Sequence, residues 1–146
     1  MTALLLALAM LRPSDGGAAV LPPIASRPMR TELPATGMAT YYAPGLMRQV
    51  YLNRIAMGQI RPCPECVGLV AMRYPEDLGR KVWIRYDGVL YGPFLVVDCA
   101  AEKDLPRMIA SERIVEVDYD WALEWWINGP VEVEVFEYGD DRQGGD

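Results

Sequence analysis

The chain contains no histidine among its 146 residues. That absence removes the commonest general base and the commonest zinc ligand together, and it excludes Ser/His and Cys/His triads. Acid–base chemistry falls to Asp, Glu, Lys, Tyr or Cys. Basic residues are also few. Lys and Arg number 14 against 20 Asp and Glu, a net charge of −6 that offers no cationic field to collect phosphates, so nucleic acid is not an expected partner. Long apolar runs are missing as well: Thr2 to Leu11 is half of the about 20 residues a spanning helix needs, so no stable membrane span is expected. With only three cysteines, the chain is no disulfide-dense scaffold.

What is present indicates one globular domain, since 51% of the residues are hydrophobic and 23% are charged. Thr2 to Leu11, closed by Arg12-Pro13 and followed by the small residues Gly17-Ala18-Ala19, has the pattern of a secretory signal over residues 1–19. A secreted or cell-envelope location is therefore expected. Residues 20–36 carry Pro22, Pro23, Pro28 and Pro34 with little periodicity and read as an extended tether. Residues 139–146 are polar and glycine-rich, the composition of a disordered tail. The folded unit is expected over residues 37–138.

Within that unit the signals are mostly those of strands. Met38 to Tyr42 is short, β-branched and aromatic, Arg48 to Ile55 is only a second, weaker strand candidate, and Val67 to Met72 is apolar. Lys81 to Tyr86 alternates, and Asp87-Gly88 supplies a two-residue hairpin turn, which predicts antiparallel pairing with Val89–Asp98. Ile114 to Asp118 alternates again. Val131, Val133 and Val135, set against Glu132, Glu134 and Glu137, form the cleanest half-buried strand. Between these last two, Trp121/Trp125 and Ala122/Trp126 recur at helical spacing, Asp118 or Asp120 can cap the start, and Asn128-Gly129-Pro130 stops the helix. The fold class is mainly β, a small closed barrel of six strands with one short helix before the last.

The segment that draws chemistry is Gly92 to Ala101, an apolar strand ending in Asp98 and Cys99. Its setting resembles a known family. Gly37-Met38-Ala39-Thr40-Tyr41-Tyr42, Leu78-Gly79-Arg80-Lys81-Val82-Trp83-Ile84, Gly92 to Cys99, Val117-Asp118 leading into a helix, and Gly129 to Val133 resemble, in that order, the double-psi β-barrel domain of the RlpA-like and expansin-like superfamily. The likeness covers nearly all of residues 37–137. It implies an exported, monomeric protein that binds cell-wall glycan, above all peptidoglycan, with no cofactor and no metal. It makes Asp98 and Asp118 the two acids, and Thr40 the opening hydroxyl. The chain departs from the family after the first acid, where it reads Asp98-Cys99-Ala100, and it lacks the histidine often found near Ala71-Met72.

Two carboxylates suffice for glycoside hydrolysis, and one general acid suffices for lytic cleavage in which the sugar's own hydroxyl closes the ring. Asp98 is the expected acid and Asp118 its partner. In the alternative readings the acids only hydrogen-bond sugar hydroxyls in a non-catalytic wall-loosening module, or Asp118 merely caps its helix in a structural or protein-binding barrel. Tyr41, Tyr42, Trp83 and Tyr119 are the expected stacking surfaces for sugar rings, whereas Trp125 and Trp126 read as core. For the thiols, a disulfide from Cys63 or Cys66 to Cys99 ranks first and a metal site second.

Overall fold

The computed structural model describes residues 30–139. The expected signal segment, most of the tether and nearly all of the tail lie outside the described residues. Six strands form one closed barrel: β1 (Ala35–Tyr41), β2 (Gly68–Met72), β3 (Lys81–Tyr86), β4 (Val89–Cys99), β5 (Arg113–Val117) and β6 (Val131–Glu137). Around the barrel the order is β1-β5-β2-β4-β3-β6. The pairs β1/β5 and β2/β4 are parallel and the other four are antiparallel. The expected mainly β class and six-stranded barrel are thus present. Closure leaves no unpaired sheet edge.

Alternation dictates which side chains go inside. Val82 and Ile84 of β3, Val133 and Val135 of β6, Val70 and Met72 of β2, and Phe94 and Val96 of β4 fill the interior and are almost wholly buried. The β3–β4 hairpin turns at Asp87 and Gly88, whose φ values of 50° and 77° are those of the tight turn the sequence predicts. Trp121 and Trp125 close one end of the barrel over Phe94 and Tyr91. The Trp121 indole lies on Gly68, where an added Cβ would come within 2.2 Å of Nε1.

Among the described residues three α-helices accompany the barrel: α1 (Leu46–Ala56), α2 (Leu105–Ala110) and α3 (Tyr119–Glu124). The helix before the last strand is where the sequence predicts it. The expected strand over Arg48 to Ile55 is instead α1. Leu46, Met47, Arg48, Gln49, Leu52 and Arg54 are good helix formers, and Met47, Tyr51 and Ile55 recur at four-residue spacing, which puts them on one face. That face packs on the outer wall of the barrel, with Met47 fully buried beside Ala71, Leu95 and Val97. Burying such a side chain stabilises by about 1.5–3 kcal/mol.

The described N-terminal residues are anchored. Asp77, fully buried, accepts hydrogen bonds from the Thr31 backbone N–H (2.8 Å), the Thr31 hydroxyl (2.7 Å), the Tyr74 N–H (3.0 Å) and Arg80 (2.7 Å). Thr31 belongs to the stretch read as tether, yet it is buried here and holds the chain onto the loop between β2 and β3.

Candidate functional site: two carboxylates beside Ala71

Asp98 owes its position to a bulge. Val70 lies opposite Val96, but the next residue, Ala71, lies opposite Asp98, so one residue of β4 is unpaired at that point. Val96 points into the barrel and Val97 packs outward under α1. The bulge brings Asp98 onto the outer side as well, where both oxygens are occupied. Arg54 of α1 donates to Oδ1 at 2.7 Å, and the Tyr42 hydroxyl donates to Oδ2 at 2.8 Å. The Arg54 and Asp98 side chains are only 21% and 18% exposed, so this ion pair is largely desolvated. The second Arg54 nitrogen, Nη1, donates to Gln59 at 2.8 Å.

Across β2, Ala71 lies opposite a second carboxylate, Glu116 of β5. Thr40 donates its hydroxyl to Glu116 at 3.0 Å, and Arg113 reaches the same oxygen at 3.3 Å. Ala71 therefore lies between two acids on neighbouring strands, with Tyr42 packed above it among the outer-wall residues. Burial pushes the Tyr42 phenol well above its ordinary range, and the hydrogen bond to Asp98 and the charges of Asp98 and Glu116 add to the shift. Tyr42 stays a proton donor at any ordinary pH.

Asp118 does not join this group. Its N–H donates to the carbonyl of Leu69, two residues along β2 from the Ala71 that lies between Asp98 and Glu116. It stands at the N-terminus of α3, which is closed by its backbone carbonyl accepting from Trp121 (3.0 Å) and Ala122 (3.1 Å). Burial, and then the charge of Asp120, raise its carboxyl above the usual range. Asp98 is thus partnered by Arg54 and Tyr42, not by Asp118 as the sequence predicts. Tyr41 and Tyr119 accompany Asp118, their ring centroids 6.0 Å apart.

Trp83 is elsewhere. It lies against Tyr138, at 5.7 Å between centroids, beside Gly92 at the start of β4. Asp98 is six residues further along that strand, about 20 Å away. Of the expected sugar contacts, Thr40 and Tyr42 share the Asp98 face, Tyr41 and Tyr119 share the Asp118 end, and Trp83 shares neither.

The cysteines also differ from expectation. Cys63 bonds to Cys66, with their Cα atoms 5.4 Å apart, and Cys99 is free. The reason is local. The Cys66 N–H closes a turn onto the Cys63 carbonyl at 3.2 Å, which brings the two thiols together, while Cys99 lies on β4 opposite Met72. Burial raises the Cys99 thiol above its usual range, against the opposing pull of Arg54, so it is a poor nucleophile.

Sequence reasoning missed Arg54, Glu116 and Arg113. Glu116 is visible as the polar residue of an alternating strand. Arg54 is hidden because its segment offers a strand pattern, whereas the structure makes it α1 and brings it to Asp98. The fold and site define a small closed β-barrel with a fixed polar strip on its outer wall. Comparison with family models, with curated proteins and with solved structures returned no match.

Proposed function

We propose that the protein is an exported glycan-binding barrel of the RlpA-like and expansin-like kind, monomeric and directed to cell-wall glycan, with peptidoglycan the first candidate. The observation that carries this reading is the strip in which Thr40–Glu116 and Tyr42–Asp98–Arg54 flank Ala71. Carboxylates held by fixed donors keep lone pairs free for sugar hydroxyls, and a positioned phenol adds a flat face. Export is supported by the Cys63–Cys66 disulfide, a bond that persists in oxidising compartments. Among the described residues no helix is long and apolar enough to cross a membrane.

Binding is favoured over cleavage at Asp98 because a general acid must aim a proton at the glycosidic oxygen. Both Asp98 oxygens instead accept from Arg54 and Tyr42. A second reading rests on Asp118, whose carboxyl is raised by burial and by Asp120. In it, lytic cleavage proceeds with Asp118 as the acid.

Co-sedimentation of the full chain with insoluble peptidoglycan tests the first reading. Wild type is expected in the pellet, with Tyr42→Phe and Asp98→Asn shifted to the supernatant; wild type remaining in solution overturns it. Mass spectrometry of the supernatant for anhydro-sugar products decides the second. Products lost in Asp118→Asn support it, and absence of products from wild type at every pH between 4 and 8 removes it.

A further inference from the structure

Helix α3 ends on a costly choice. The Trp126 N–H donates to the Leu123 carbonyl and the Ile127 N–H to the Ala122 carbonyl, each at 3.1 Å, the paired bonds of a Schellman turn. Glycine usually occupies the left-handed position of that turn, because a Cβ is strained there. Here the residue is Trp126, with φ of 55°. Its side chain is 94% exposed, so packing does not offset the strain. The sequence places it in the core at helical spacing from Ala122. The structure corrects this, because the left-handed turn swings the ring off the buried face that Ala122 and Trp125 occupy.

Two further choices on the same helix are unfavourable. Asp120 and Glu124 are both exposed and stand four residues apart, where like charges repel. Neither has an ion-pair partner among the described residues. Glu124 also lies in the last turn, where the helix dipole is already negative. Leu123, 58% exposed, and Trp126 add two exposed apolar side chains next to Glu124.

A cation with an apolar stem offsets both charge costs and gives the exposed ring a partner. We propose that the outer face of α3 docks a basic, partly apolar segment of a partner protein, with a Lys or Arg held between Glu124 and the indole face of Trp126. A cation there is attracted by the ring, by the carboxylates and by the negative end of the helix dipole. Asp120 and Glu124 repel an anionic membrane or polymer. This surface is separate from the Ala71 strip, so it stands whether or not the glycan reading does.

The test uses the full chain and a fluorescently labelled peptide of alternating Leu and Arg, followed by anisotropy, with a Leu/Glu peptide as the counterpart. Wild type is expected to bind only the basic peptide. Trp126→Gly restores the residue the turn prefers, so it is expected to raise Tm by about 4 °C while weakening binding by at least about tenfold. Glu124→Gln is expected to weaken binding and reduce its salt dependence. The proposal is overturned if wild type does not bind the basic peptide, if Trp126→Gly binds it as tightly as wild type, or if Trp126→Gly lowers Tm. Loss of peptidoglycan retention in Trp126→Gly with peptide binding unchanged also overturns it, and would assign the ring to sugar.

Discussion

Asp98 and Asp118 are both half-buried acids at strand ends, yet their neighbours give them opposite characters. Asp98 is held by a guanidinium and a phenol. Replacing Arg54 by Met leaves the Asp98 charge desolvated without its counter-ion, and is expected to cost about 2 kcal/mol, read as a lower urea midpoint. Adding Asp98→Asn should recover part of that loss; additive losses in the double variant would mean that the two side chains do not interact. Asp118 has no such ion pair among the described residues. Its folded carboxyl is raised by burial and Asp120, so it favours the fold while protonated, and that contribution is lost as pH rises through the raised value. Asp118→Asn, which leaves the backbone bonds that start α3 in place, is therefore expected to be more stable than wild type at pH 7. The difference should shrink to nothing below about pH 4. Equal stability at pH 7, measured in parallel denaturant titrations, would contradict the burial argument.

At the scale of elements, outward-facing and end-capping contacts do more than strand propensity to set the architecture. Helix α1 forms because its straight-chain residues favour helix and because Met47 fills the space over Ala71, Leu95 and Val97. Strand β2 starts with a glycine because the Trp121 ring lies where a side chain would be, its Nε1 donating to the Val67 carbonyl at 3.2 Å. Gly68→Ala is expected to displace that ring and cost about 1–3 kcal/mol. The near-UV circular dichroism of the Trp121–Trp125–Phe94 cluster should change with it. An unchanged spectrum would show that the ring is free to move.

At the scale of the molecule, the buried Asp77 ties Thr31, the loop before β3 and Arg80 into one unit. Arg80 extends it by pairing with Glu137 at the end of β6. The barrel is thus fastened where its last strand ends and where the chain enters it. Thr31→Val removes one donor to a fully buried carboxylate and keeps the side-chain volume, so it should cost about 1–3 kcal/mol. Protease cleavage ahead of β1 should accelerate with it. A variant as resistant as wild type would show that the entry is not held here.

How much was readable follows from the range of the signals. The alternation of Lys81–Tyr86 and Val131–Val135, the Asp87-Gly88 turn and the helical spacing of Trp121 and Trp125 are local, so the sequence by itself determined the strand faces, the hairpin, the last helix and the six-stranded barrel class. The residues gathered around Ala71 with Asp98 are not local. Tyr42, Arg54 and Glu116 come from a loop, a helix and a strand far apart in the chain, and they meet only because a bulge turns Asp98 outward and β2 places Ala71 between the acids. The tertiary structure alone decided that Cys63 pairs with Cys66, that Asp118 stands apart from Asp98, and that Trp126 faces solvent. Each depends on where the backbone aims a side chain, which composition and spacing leave open.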